Sequence, residues 1–171
     1  MKFLNFKSLF VVAILLTSIS AFSQSKYKNG VFLELAGNGG PYSINYERKI
    51  YNSIVGRVGF TSIGDDLLFP ISIGKIFGGG SHHFEINLGL TLYHYRVPVQ
   101  YKNSAQQQLS FDWFNSLYLT SFVGYRYQKP DKRFFYRCGF SPLWRFYNSD
   151  AESNTLYQVI PWGGMSVGYR F

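Results

Sequence analysis

Cysteine is nearly absent from the sequence: Cys138 is the only one in 171 residues. A single thiol excludes an intramolecular disulfide framework and a cysteine-based metal cluster. Charged residues are also sparse, at 15% of the chain. No apolar run approaches the length of about 20 residues that a membrane-spanning helix needs. The fold must therefore be stabilised without disulfides and without a long hydrophobic helix.

The first residues have the features of a secretory signal peptide. Lys2 and Lys7 give a positively charged start, and a short apolar stretch leads to small residues ending at Ser23. This order of features is typical of an exported protein. We predict a cleaved segment over 1–23 and a mature domain over 24–171, with an uncleaved signal anchor as the alternative.

Basic residues exceed acidic ones, and the formal net charge of the full chain is +8. Removing 1–23 removes two lysines and no acid, which leaves +6. Such an excess indicates nucleic-acid binding when Lys and Arg form one patch. Here they are scattered singly in a chain predicted to be exported, so we expect no nucleic-acid partner.

Aromatic residues and glycine are abundant. Phe, Tyr and Trp make up 20% of the chain, which also has 17 Gly, and the mean hydropathy is −0.07. Aromatic residues favour strands, and glycine favours turns. Because no long apolar block accounts for the aromatic content, the apolar residues must alternate with polar ones.

Eight segments alternate with the period of a β-strand. In the clearest one, Phe84, Ile86 and Leu88 alternate with Glu85 and Asn87. A period of two residues places the two sets on opposite faces of a strand. The predicted strands are 30–37, 41–49, 53–61, 69–77, 83–95, 113–127, 133–146 and 156–171.

The predicted connections differ in length at the two ends of the strands. The connections at one end, after the second, fourth and sixth strands, are short. At the other end the first is tight, but the later ones are longer, over 62–68, 96–112 and 147–155. Short periplasmic turns and longer extracellular loops are the layout of a transmembrane β-barrel.

The two faces of these strands differ in a way that favours a membrane barrel. One face is rich in Gly, Ser, Thr and Asn, while the other is continuously apolar. A soluble sandwich or barrel points its apolar face inward and a charged face to water, and no such charged face is present. Small inward residues suit a narrow barrel. We predict an all-β, eight-stranded antiparallel up-and-down transmembrane β-barrel; a soluble exported sandwich or barrel is the alternative.

The segment MSVGYRF, 165–171, carries a family resemblance. Met165, Val167, Tyr169 and Phe171 are apolar or aromatic at alternate positions. The chain resembles the small eight-stranded outer-membrane barrels of Gram-negative bacteria, the OmpA-like and OmpX-like class. The resemblance implies an outer-membrane location, contact with membrane lipid and lipopolysaccharide, and recognition of these four residues by the barrel-assembly machinery.

Charged residues on the polar face predict a network inside the barrel. Charges in a narrow lumen must be paired, because burying an isolated charge is costly. Neighbouring strands pair Glu85 with Arg126 and Glu47 with Arg57, and Glu34 lies within reach of the second pair. Arg137 and Arg170 need carboxylates from elsewhere or water. We interpret the set as a salt-bridged filling of the lumen; a polar path or binding site is the alternative. The set is Glu34, Glu47, Arg57, Glu85, Arg126, Arg137 and Arg170.

Little in the sequence indicates catalysis. Outer-membrane lipid A deacylases use a His-x-Ser arrangement, which His82, His83 and His94 do not match. The acidic residues of 62–68 and 147–155 lack the spacing of a calcium loop, so we predict no catalytic, metal or cofactor site. The sequence favours a non-enzymatic envelope protein that is structural or engages surface partners through its loops. A lipid-modifying enzyme using His94 and a narrow solute channel are the alternatives.

Overall fold

A computed structural model describes residues 27–103, 106–148 and 158–171. Most of these residues form β-strands. No helix within these ranges is long and apolar enough to cross a membrane. The predicted signal peptide lies outside the described residues. The strands are β1 Asn29–Gly37, β2 Gly40–Tyr51, β3 Ile54–Ile63, β4 Asp66–Gly79, β5 His82–Asn103, β6 Gln106–Gln128, β7 Phe134–Phe140, β8 Leu143–Asn148, β9 Gln158–Ile160 and β10 Gly163–Arg170.

The strands close into an antiparallel barrel. β1 to β6 follow one another around the sheet, β6 pairs with both β7 and β8, and β10 pairs with β7 and returns to β1. β7 and β8 together fill one strand position of the ring, and β9 and β10 together fill another. The ten segments therefore make an eight-stranded ring. The predicted all-β fold, an eight-stranded antiparallel barrel, is confirmed. We call the end where β1 begins and β10 ends the terminal end, and the opposite end the hairpin end.

Two predicted strands are interrupted. The strand predicted over 133–146 divides into β7 and β8 at Ser141-Pro142, and the one over 156–171 divides into β9 and β10 at Pro161-Trp162. Proline has no N–H to donate to a strand ladder, which favours a break at both places. The two breaks lie next to each other in space. The N–H of Ser141, at the first break, donates to the carbonyl of Trp162, at the second, at 2.6 Å.

Two of the predicted loops are largely strand. Segment 62–68 is a tight turn, since β3 ends at Ile63 and β4 begins at Asp66. Gly64, at φ 60°, supplies the left-handed residue of that turn. Most of 96–112 continues β5 and β6 as one antiparallel hairpin to the pair Asn103 and Gln106. Of the third predicted loop, residues 149–155 lie outside the described part of the chain.

The barrel exposes its apolar side chains and buries its polar ones. On β5, Phe84 and Leu88 are exposed, while Glu85, Asn87 and Thr91 are buried. The same alternation occurs around the ring, and each of the eight positions contributes an exposed apolar residue. Examples are Leu33, Ile44, Val58, Ile71, Leu88, Val123, Tyr136 and Met165. This arrangement is the reverse of a water-soluble domain.

Candidate functional site in the barrel lumen

Six buried charged side chains meet inside the barrel. Three are carboxylates and three are guanidiniums, so their formal charges cancel. Each comes from a different strand, at an inward position of the alternation. They are Glu34 on β1, Glu47 on β2, Arg57 on β3, Glu85 on β5, Arg126 on β6 and Arg137 on β7.

Glu47 binds two arginines from opposite sides of the lumen. Its neighbour in the strand register, Arg57, donates from Nε to Oε2 at 2.8 Å. Arg126 donates from Nη2 to Oε1 at 2.7 Å and from Nη1 to Oε2 at 2.8 Å. The second contact is bidentate and crosses the barrel, and such paired hydrogen bonds between charged groups are strong and directional.

Glu85 is the fully buried centre of the network. Its Oε1 lies 3.0 Å from Arg57 Nη1 and 2.9 Å from Arg137 Nη2. Its Oε2 lies 3.3 Å from Arg126 Nη1. Arg126 and Arg137 are directly opposite each other on β6 and β7, an unfavourable pairing of like charges. A carboxylate in contact with both offsets that repulsion.

Glu34 completes the network on its far side. Its Oε1 lies 3.8 Å from Arg137 Nη1, and its Oε2 accepts a hydrogen bond from Ser43 Oγ at 3.3 Å. Neighbouring strands suggested the Glu47–Arg57 pair as its partner. Glu34 instead forms an ion pair with Arg137, for which the neighbouring strands offered no carboxylate.

Arg170 lies apart from these six residues. Its Nη2 donates to the carbonyl of Lys129 at 2.6 Å and to that of Lys132. Its guanidinium carbon also lies 5.2 Å from the centre of the Tyr27 ring. Arg170 therefore holds the turn between β6 and β7 rather than joining the network.

Buried phenylalanines fill the space around the arginines, a feature that the sequence prediction missed. The guanidinium of Arg126 lies 4.0 Å from the ring centre of Phe135, and that of Arg137 lies 4.4 Å from Phe122 and 5.0 Å from Phe32. In the sequence, all three phenylalanines fall on the inward-facing positions of their strands, as the charged residues do. The alternation alone could therefore have predicted that these rings are buried. Cation–π contacts of this kind are favourable when water is excluded.

Room for one of these rings depends on a glycine. A Cβ at Gly168 would lie 2.3 Å from a ring carbon of Phe135. No side chain fits at that distance unless the ring moves. A glycine inside a strand often marks a close approach of this type.

The lumen towards the hairpin end is neutral and polar. Asn38, in the turn between β1 and β2, accepts from Ser141 Oγ at 2.6 Å and donates from Nδ2 to Asn87 Oδ1 at 3.2 Å. Its carbonyl accepts from Thr91 Oγ1 at 2.7 Å. The turn therefore folds into the barrel and links β5 with the break between β7 and β8. The sequence indicated only a tight turn here.

His94 lies outside the lumen, near the hairpin end. Its ring stacks on Trp113 with centres 4.6 Å apart, and its Nδ1 lies 2.8 Å from Asn115 Oδ1. Both partners are on β6, so His94 packs against the neighbouring strand. Among the described residues, no group of three or more His, Cys, Asp or Glu side chains is arranged to hold a metal ion.

The closed ring and its polar lumen define the class: a small eight-stranded antiparallel β-barrel. The structure is similar to the N-terminal β-barrel domain of Pseudomonas aeruginosa OprF, with a TM-score of 0.54 and 14% sequence identity. The match covers 86% of this chain and 98% of that domain. No family model and no curated protein matches the sequence. At this identity the similarity establishes the fold.

Proposed function

We propose that the protein is an exported outer-membrane barrel that spans the bilayer with its apolar exterior in contact with lipid. The observation that carries this proposal is the belt of exposed apolar side chains around all eight positions of the ring. Soluble monomers rarely expose a continuous apolar surface of that extent. In lipid the same surface is favourable, and a closed barrel leaves no unpaired strand edge.

The proposed role is non-enzymatic, with a lumen closed by side chains. The charge-balanced network and its phenylalanines support a closed lumen. Six strands direct charged side chains to the same part of the lumen, where they pair with one another. The contacts of His94 with Trp113 and Asn115 support an anchoring role in place of a catalytic one. The protein then serves the envelope as a structural element or through surface partners.

The proposed partners contact the exterior of the barrel, its β5–β6 hairpin and its closing strand. The exterior contacts membrane lipid and lipopolysaccharide. Residues 1–23 direct export, and 24–171 form the barrel. The β5–β6 hairpin is the proposed surface for an extracellular partner. The proposed signal for the barrel-assembly machinery is the outward side of the closing strand, Met165, Val167, Tyr169 and Phe171.

Fractionation tests the location. We expect the mature protein in the outer-membrane fraction, migrating faster on gels before heating than after it, as folded barrels do. The unfolded, boiled sample is the matched control within each gel. Recovery of the mature protein as a soluble periplasmic species would overturn the proposal.

Planar bilayer recordings test the closed lumen. We expect no stepwise conductance at any applied voltage, because three buried ion-paired arginines cross the lumen. Discrete openings would favour the narrow-channel alternative. For the enzyme alternative, lipid A mass spectra and a phospholipase assay should be identical in deletion and overexpression strains; new products would contradict a non-enzymatic role.

A further inference from the structure

A cavity of about 200 Å³ opens at the terminal end of the barrel, beside the charged network. It shares Glu47 and Arg126 with the network and extends past them to the barrel rim. A cavity of this size holds several water molecules. That is enough for one small ionic group with some of its hydration water.

The lining of this cavity is strongly cationic. Lys28, Lys49, Arg126 and Arg170 line it, against the single carboxylate of Glu47. Both oxygens of Glu47 are already bound by Arg57 or Arg126. Within the described residues, neither lysine forms an ion pair with a carboxylate, and nor does Arg170. Arg126 is balanced within the network, but among the described residues no acidic side chain neutralises the charges of Lys28, Lys49 and Arg170.

Two buried nitrogens at this cavity have no hydrogen-bond partner within the described part of the chain: Arg170 Nε and His83 Nδ1. Arg170 is only 8% exposed, and its Nη2 is fixed by the carbonyls of Lys129 and Lys132. Leaving a buried charged donor unsatisfied is costly. Neither nitrogen is itself open to the cavity, so a ligand oxygen would remove that cost only after a small shift of the Arg170 side chain towards the cavity.

We propose that this cavity binds an oxyanion, a phosphate or carboxylate group, with Arg170 Nε as a donor and Lys28 and Lys49 as counter-charges. Strong hydrogen bonds between charged groups favour such a ligand over a neutral one. The inference goes beyond the proposed envelope role. Binding itself does not depend on that role, although in the proposed orientation the cavity faces the periplasm.

The test is a titration of the refolded protein in dodecyl maltoside, a detergent without charged groups. Inorganic phosphate and acetate are added in separate arms at constant ionic strength, with sodium chloride as the reference. We expect a saturable shift of the Arg170 Nε–H resonance with phosphate, acetate or both. The Nε–H of Arg57, which donates to Glu47, should not move. An equal response to chloride, or no saturable shift, would overturn the proposal.

Variants locate the binding by calorimetry. Arg170→Gln should weaken the affinity at least about tenfold, as expected for losing one hydrogen bond between charged groups. Because Arg170 also holds a turn, Lys49→Gln provides a second test and should weaken binding severalfold. Lys75→Gln is the matched control, since that ammonium lies over the Phe77 ring and does not line the cavity. Unchanged affinity in Lys49→Gln, or equal weakening in Lys75→Gln, would contradict the assigned site.

Discussion

The two halves of the lumen have the same strand alternation but different chemistry. Towards the terminal end, Glu85 contacts three arginines in a fully buried network. Towards the hairpin end, Asn38 is held by neutral hydroxyl and amide groups. Glu34 connects the halves through Ser43. An identical pattern of inward positions can thus be filled by a network of charges or by separate neutral hydrogen bonds.

The difference predicts unequal sensitivity to substitution. A buried ion pair contributes little when intact, yet removing one partner leaves an uncompensated charge in a medium of low polarity. Removing one partner of a neutral hydrogen bond leaves only a desolvated dipole. The charged half should therefore depend on its overall balance, and the neutral half on each bond separately.

Glu85→Ala should have the largest effect, because three guanidiniums would then share two carboxylates. We expect the free energy of unfolding to fall by about 3–5 kcal/mol. The measurement is the urea midpoint in detergent. Adding Arg137→Gln restores the charge balance and should recover part of the loss. An unchanged midpoint in Glu85→Ala would mean that the central pairings are misassigned.

Gly168→Ala tests the packing of the charged half. The new Cβ would meet the Phe135 ring at 2.3 Å, so we expect a loss of about 1–3 kcal/mol from overpacking. Gly79→Ala is the matched control, because a Cβ there has no atom within 4 Å. Phe135→Leu combined with Gly168→Ala should relieve the clash. Equal midpoints for the two glycine variants would contradict the close approach.

Asn38→Ala tests the neutral half. It removes the side-chain hydrogen bonds to Ser141 and Asn87 but keeps the backbone carbonyl that Thr91 binds. We expect a loss of about 1–2 kcal/mol in the same urea assay. A loss as large as that of Glu85→Ala would remove the contrast between the two halves.

Asp65→Asn should have the smallest effect. The Asp65–Arg96 ion pair spans 3.2 Å, and its side chains are 68% and 39% exposed. Exposed pairs contribute about 0–1 kcal/mol and are screened by salt. We expect a shift in the urea midpoint that is small at low salt and absent at high salt. A salt-independent loss would show that Asp65 has a buried role.

The alternation of side chains could be predicted from the sequence, but the contacts across the lumen could not. Inward positions such as Glu47 and Arg126 follow from a period of two, which is a local property. Their bidentate contact depends on the barrel's width and strand stagger, which link residues separated by 79 positions. The inward fold of Asn38 depends in the same way on distant strands. The breaks at Pro142 and Pro161 could not be predicted from proline alone either, because Pro41, Pro70 and Pro98 lie inside unbroken strands.

The native Cys138 allows the most direct test of the membrane-facing exterior. It is exposed on β7, opposite Tyr125 on β6 and Met165 on β10, and both neighbours are exposed. A nitroxide on this thiol, in protein reconstituted into lipid vesicles, reports its surroundings by electron paramagnetic resonance. We predict faster relaxation by oxygen, which dissolves in hydrocarbon, than by a water-soluble nickel complex. Relaxation dominated by the nickel complex would place this surface in water and contradict a lipid-facing exterior.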